Sequence, residues 1–598
     1  MGGSPMSPRL LQRSLLVLIL LASFLLKLHH LGHLGLKGLD ESFHAVVAKN
    51  LLKHPLTPTL IDQPYLPYDH RDWQLNHIWL HKPPLPLWQI ALSYVVQGVT
   101  TFALRLPSAI LATGSVYLTY LIGKRLLAKE AALLAAGLQA FLPALTQLTH
   151  GYIFSDHVDT AFLFYTELSI YFLARTVFPT LTPSPPAPGE GGDEGSWPHN
   201  KSPYPLLLLT SLATAAAFLS KTYPALITVV IAVTLLFTTT WFRSKHILFL
   251  VLTTLLFIFP WPSYCFFRFR QEFLYENLHI FRHLTTSVES FGAPWDRLVF
   301  DYLVQAFGRL YPAVLVALIL FLPVSIRQRN AKLLFLYAWS LGVLIPHLLA
   351  TSKTPTATLI GWPALLLLVG HLIWRSFQRD VPALISLFVV SALGVCWPAR
   401  IGPTGFGYPD PPRFGTIMMQ NIWVVPHVVA ALLAAVGARR FLSPRFITPL
   451  LALALIFLAI LQFQFIRQSY RVTQQNQQAP SFPKLAALVE QHLPPNAVLL
   501  FDQRQKLEST IALFWIDRTV YPLGTNNWPQ LVEQIRGRGG VPLIISSRRL
   551  PMTPIFADPD EGLIAYDPAD HDLASFTAIY PVEVPLHLKE SATSPASP

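Results

Sequence analysis

The sequence predicts a polytopic α-helical membrane protein of about thirteen transmembrane helices, followed by a small soluble α/β domain. Three observations predict it. Of 598 residues, 52% are hydrophobic and only 13% are charged, and a mean hydropathy of +0.44 exceeds what a soluble core needs. Apolar windows of about 18 to 22 residues, long enough to cross a hydrocarbon core as helices, recur from Ser14 to about Ile466. Beyond that point, short helix-like and strand-like pieces alternate instead.

The first apolar run, "SLLVLILLASFLLKLHHL", follows Arg9 and Arg13, as a secretory signal would. No small-x-small cleavage site follows it, so it reads as a retained helix. The expected spans are 14–31, 103–123, 130–148, 158–176, 204–220, 222–241, 246–265, 308–325, 332–350, 356–374, 381–397, 423–438 and 446–466. Between the first two lies a long loop, 36–101, with amphipathic segments at 41–53 and 85–96 suited to lying in the membrane interface. The Pro/Gly/Ser-rich stretch 179–203 reads as a disordered cytoplasmic connector, which leaves the Asn200-Lys201-Ser202 glycosylation triplet unused. Residues 1–470 form the expected membrane domain and 471–598 an extracytoplasmic domain with a disordered end. In that tail, "PKLAALVEQHL", "AVLLF", "STIALFWI", "TVYPL", "WPQLVEQIRGRGG" and "VPLIISS" give an α/β pattern. It carries no glycine-rich nucleotide fingerprint, and "DPDEG" (558–562) reads as a solvated turn. Cys265 and Cys396 are too few for a disulfide scaffold, and nothing in their positions supports a bridge.

The net charge of +12 does not point to nucleic acid, because the basic residues are not gathered into one patch with interleaved aromatics. They sit in short loops at 123–129, 241–246, 326–332, 374–380 and 438–445. With a cytoplasmic N-terminus, every one of these loops falls inside, as the positive-inside rule requires. The segments 38–101, 149–158, 266–306, 351–355 and the tail then share the outer face. The expectation is a multi-pass protein of the cytoplasmic (inner or plasma) membrane, with its active site and C-terminus extracytoplasmic.

That outer face carries the chemistry. "GLDESFHAVVAKNLL" places Asp40 and Glu41 directly after the first span. An isolated acid there serves as readily as an N-cap for the following helix. The neighbours add weight to a site. "HKPPL" holds Lys82 before two prolines, and "SDHVDTAF" sets Asp156 and Asp159 on one face if helical. Acids from separate loops with a rigidly held cation suit a reaction that removes a proton and stabilises a departing anion.

The order of "DE", "KPPL", "FALRLPSAILATGSVYLTYLIGKRL", an acid opening the fourth span, "FLSKTYPAL", "FPWPSYCFF" and "TSKTPTATLIGWPAL" resembles the polyprenyl-phosphate-sugar transferases of the GT-C superfamily. Lipid A aminoarabinose transferases and protein O-mannosyltransferases are the most similar. The resemblance covers about 30–375; the last spans and tail match in layout only. It implies a GT-C type fold and a catalytic base at Asp40, with Glu41 beside it. It implies donor-phosphate contacts at Lys82, at Lys221 (the family's "TKG" lysine) and at Lys353 in "TSK". The acid opening the fourth span aligns by spacing with Asp159, whereas Asp156 is better placed for an external loop, and both are kept. An arginine expected between the seventh and eighth spans has only Arg282 as a counterpart. The family usually has an acid where His81 stands, and the aminoarabinose transferases an arginine where Phe43 stands, so the sugar need not be aminoarabinose.

Histidines 44, 70, 77, 81, 150 and 157 are dense on the outer face, and His77 with His81 has the i, i+4 spacing of helical metal ligands. Such a pair needs further ligands from elsewhere. No metal is assigned; His44, His81 and His157 are read as substrate- or acceptor-binding groups, with a divalent metal as the lesser alternative. Trp73, Trp79 and Trp88 read as interfacial anchors.

The expected function is an inverting glycosyltransferase that moves a sugar from a polyprenyl-phosphate carrier to a hydroxyl of a lipid, glycan or protein, among membrane lipids and without nucleic acid. The alternative is a multi-span transporter or flippase of lipid-linked sugars. A transporter would place ionisable groups near the bilayer midplane in repeated halves. Here the polar groups gather at one face and no half-to-half repeat is visible. An oligosaccharyltransferase would need a Trp-Trp-Asp-Tyr-Gly signature, which the sequence lacks.

Overall fold

The computed structural model describes residues 8–29, 31–32, 35–37, 40–151, 156–179, 202–239, 241–287, 292–395, 482–502, 506–523, 528–547, 550, 552–558 and 563–568. The chain forms two compact units. The first comprises 1–33, 82–93 and 100–477; the second comprises 34–81, 94–99 and 478–598. Most of the long loop after the first span thus groups with the tail.

In the first unit, helices cover the expected spans from 14–31 to 381–397. Six described helices are long and apolar enough to cross a membrane, or up to eight if each of two bent pairs is one span. The spans expected at 423–438 and 446–466, with Cys396, lie outside the described residues. The segment Leu359–Phe377 is 83% buried and Arg9–Leu28 only 11%, so the former is central and the latter faces its surroundings with leucines. Gly370 faces the Ala131 carbonyl and Ala135, where any side chain would collide. Small residues at such crossings let membrane helices approach closely.

Polar side chains lock the helices that carry the site. Ser169 Oγ of the Val158–Val177 helix lies 2.6 Å from Thr214 Oγ1 of the Tyr204–Lys221 helix and 2.9 Å from Thr228 Oγ1. Where lipid offers no partner, such bonds fix register between neighbours. On another face of the Val158–Val177 helix, the buried Glu167 carboxylate accepts from Ser115 and Thr119 of the Thr101–Leu126 helix.

The second unit holds a five-stranded sheet in the order β2-β1-β3-β5-β4, with β1 Ala497–Asp502, β2 Thr519–Pro522, β3 Val541–Ser546, β4 Pro554–Asp558 and β5 Leu563–Tyr566. The pairs β1/β2 and β1/β3 are parallel, as the intervening helices Lys506–Trp515 and Trp528–Gly537 require. The final hairpin, β4 and β5, is antiparallel. The sheet has β2 at one edge, and loop residues meet it there. Thr519 Oγ1 donates to the Gln63 carbonyl at 2.9 Å, and Tyr521 Oη accepts from the backbone N–H of Tyr65 and Leu66.

Two expectations about the loop change. The Asp40–Leu51 helix does not present one wet face as an interface-lying helix would: Glu41 to Ala48, Asn50 and Leu51 are all buried. The i, i+4 geometry expected for His77 and His81 does not exist, because residues 77–81 are not helical. Ile78 instead bridges Thr59, and His77 Nδ1 pairs with the Ile61 carbonyl at 2.6 Å. The following helix, Pro84–Gln97, keeps Leu92, Val95 and Val96 strongly exposed, in keeping with an interfacial position.

Candidate active site

Two acids and two lysines alternate in the first unit. Lys82 Nζ donates to Asp156 Oδ2 at 2.8 Å, and Lys221 Nζ reaches the same oxygen at 3.4 Å. Lys221 also donates to Asp159, whose carboxylate accepts in addition from the Thr356 side chain. Local structure explains the convergence. The turn before the Val158–Val177 helix closes by an Asp159 N–H to Asp156 carbonyl bond of 3.1 Å, which brings both acids to one side. Pro83 and Pro84 hold Lys82 just before the next helix. Lys221 is the last residue of its helix, and Thr222 stops it at φ 61 and ψ −138, a conformation costly for a β-branched residue. Side-chain exposure is 14% at Lys82, 12% at Asp156 and 1% at Asp159. Each charge therefore depends on its partners more than on water.

The other expected residues sort into distinct settings. Lys353 is buried, and its ammonium donates to the carbonyls of Ala293 at 2.9 Å and Ala350 at 2.5 Å. Burial pushes its pKa down, against the attraction of Asp296. The Lys353 ammonium thus ties two loops together, and among the described residues no ion pair joins it to Asp156 or Asp159. Arg282 lies exposed in the Arg270–Thr285 helix, likewise without an ion pair to that cluster. His157 is buried with Nδ1 3.1 Å from Ser108 Oγ.

In the second unit, Asp40 and Glu41 form the first turn of the Asp40–Leu51 helix. Glu41 Oε2 accepts the Lys37 backbone N–H at 2.6 Å, which pins the chain's entry into the helix. Asp40 is half-buried and Glu41 fully so. His44 packs edge-on to Trp79 at 6.0 Å, while His81 stacks on Trp73 at 4.4 Å with the rings 8° apart. Phe43 completes this aromatic group, 4.9 Å from Trp73. The tryptophans 73 and 79 are therefore packed loop residues, not isolated anchors. Thr356 and Ser108 were not legible as site residues, since a lone hydroxyl in an apolar run carries no spacing signal.

Residues 81–178 match the model of the dolichyl-phosphate-mannose-protein mannosyltransferase family, a stretch that contains Lys82, Asp156 and Asp159. Among solved structures, ArnT from Cupriavidus metallidurans bound to undecaprenyl phosphate superposes with a TM-score of 0.60 at 16% identity, over 93% of this chain and 98% of that one. The fold of this chain is similar to that of ArnT. The apo form of the same ArnT gives a TM-score of 0.59. Two uncharacterised proteins of Aquifex aeolicus (strain VF5) are similar in sequence. One is 34% identical over 122 residues, 20% of this chain and 22% of its own length, so that match spans far less than two thirds of the relative. The other is 26% identical over 377 residues, 61% of this chain and 74% of the relative. The described helices that are long and apolar enough to cross a membrane, in an ArnT-like fold, make this a membrane protein.

Proposed function

We propose that this protein is an inverting glycosyltransferase of GT-C type that takes a sugar from a polyprenyl-phosphate carrier at the outer face of the cytoplasmic membrane and passes it to a hydroxyl of a lipid, glycan or protein. The alternating Lys82–Asp156–Lys221–Asp159 cluster carries the reading. Two ammonium groups held by two carboxylates at the mouth of a helical bundle suit a phosphate that arrives and leaves with its lipid. The bound ArnT structure has undecaprenyl phosphate in a similar fold.

In the proposed step, the acceptor oxygen attacks the anomeric carbon while its proton passes to Asp40. The bond from that carbon to the phosphate oxygen breaks, and the electron pair leaves with the polyprenyl phosphate. Lys82 offsets the charge that develops there, and Lys221 keeps Asp156 from competing for Lys82. Attack opposite the leaving group inverts the anomeric centre. Glu41, engaged with the Lys37 N–H, supports Asp40 structurally in this scheme.

A flippase is the second reading, and one observation favours it: Glu167 is a buried carboxylate within a span, where transporters keep ionisable groups. Its bonds to Ser115 and Thr119 suit interhelical locking equally well. Purified protein, supplied with polyprenyl-phosphate-linked mannose and a membrane extract as the source of acceptor hydroxyls, decides between them: transfer in nanodiscs is read by release of polyprenyl phosphate, and flipping in sealed vesicles by movement of the sugar lipid across the wall. Asp40→Asn is expected to lose about 10²- to 10⁴-fold in turnover, the usual worth of general base catalysis. Sugar lipid crossing a vesicle wall with no transfer would replace the enzyme by a flippase.

A further inference from the structure

The Asp40–Leu51 helix is held at both ends by different parts of the chain. At its start, Glu41 binds the Lys37 N–H. Near its end, the Lys49 ammonium lies 3.3, 3.3 and 3.4 Å from the carbonyl oxygens of Leu513, Phe514 and Ile516. Those carbonyls belong to the C-terminal end of the Lys506–Trp515 helix and the residue after it, where helical carbonyls lack intrahelical donors and the helix dipole favours a cation. One lysine from the first external loop therefore caps a helix of the tail. Asp517 Oδ1, 3.9 Å away, adds a weaker attraction, and Tyr94 lies near both elements through the Ala45 carbonyl and the Phe514 ring.

We propose that Lys49 is a positioning residue for Asp40, and that the tail serves sugar transfer through its Lys506–Trp515 helix, which grips the far end of the helix that carries the base. The proposal rests on the base role assigned to Asp40 above. A short α-helix is stiff along its axis, and Asp40 and Lys49 stand about 13 Å apart along it. A change of tilt at the lysine end is therefore delivered to the carboxylate. Misplacing a reacting group by about 1 Å can cost up to about 10²-fold in rate.

The test uses the full chain in nanodiscs with two readouts. Hydrogen exchange needs no substrate: Lys49→Met, which keeps the stem and removes the donor, is expected to speed exchange of the amides following Asp40 about tenfold or more. Lys49→Arg, which restores donors and charge, is expected to return it toward wild type. In turnover of polyprenyl-phosphate-linked mannose, Lys49→Met should lower kcat about tenfold or more with little change in donor KM. In an Asp40→Asn background it should lower the residual rate no further. Unchanged exchange at the first turn, or an equal loss of rate in both backgrounds, overturns the proposal. If Lys49→Met fails to fold, Lys49→Gln retains amide donors and is read the same way, with a smaller effect expected. Full activity in Asp40→Asn alone would instead remove the base assignment, while the exchange result still decides whether Lys49 holds that end of the helix.

Discussion

Lys82 and Lys221 meet on a single carboxylate oxygen, Oδ2 of Asp156, at 2.8 and 3.4 Å. Neither lysine is a free surface charge, so removing one redistributes the rest. Lys82→Ala is expected to leave a protein that expresses and folds but turns donor over poorly. Lys82→Arg should keep partial activity, since the guanidinium keeps the charge but not the compact ammonium. Donor binding and turnover both untouched in Lys82→Ala would detach the residue from the phosphate.

Thr222, beside that cluster, sits at φ 61. Strain of this kind costs on the order of 1–3 kcal/mol, and the extra backbone freedom of glycine returns about 0.5–1 of it. Thr222→Gly should therefore raise the melting temperature in detergent while leaving Lys221 in place. A lower melting temperature would mean that contacts of the threonine side chain outweigh the strain of its backbone.

Alkaline pH offers a separate check on Lys49. Burial lowers its pKa below 10.5, with Asp517 pulling the other way. The unfolded chain therefore binds this proton more tightly than the folded one, and stability from this group rises with pH from the lowered value up to 10.5. The stability of wild type relative to Lys49→Met should grow across that alkaline window. A constant difference would say that burial does not penalise the ammonium.

Sidedness can be read on intact cells. Asp40, Lys82, Asp156 and the tail after Arg467 are expected outside, with Lys245, Arg329 and Arg375 inside, because the short loops assigned inside are the Lys/Arg-rich ones. Single cysteines beside these positions, in a background without Cys265 and Cys396, report this to a membrane-impermeant thiol reagent. Labelling beside Arg329 but not beside Lys82 would invert the topology and place the proposed chemistry in the cytoplasm.

The apolar spans and the α/β order of the tail are legible in the sequence because each rests on local periodicity. The pairing of Asp156 and Asp159 on Lys221 is legible in part, since the two acids lie a helical step apart while their lysine comes 62 residues after Asp159. The Lys49 cap is not legible. Its partners lie 464 to 467 residues away, and an amphipathic segment with a lysine near its end looks the same on a membrane surface as against the end of another helix. The β4–β5 hairpin is missed for another reason: Pro554 and the short β5 leave too few alternating residues to show a period of two.

The loop contacts along β2 also set an order of events during synthesis. Gln63, Tyr65 and Leu66 emerge more than 450 residues before Thr519 and Tyr521, the residues they bind. Until the last part of the chain is made, that stretch of loop has no strand to cover. Closure over so long a separation is slow by its nature. A nascent chain stalled after its last membrane helix would therefore carry an inserted bundle and an unfinished second unit, a target for the quality-control proteases of whichever compartment receives it.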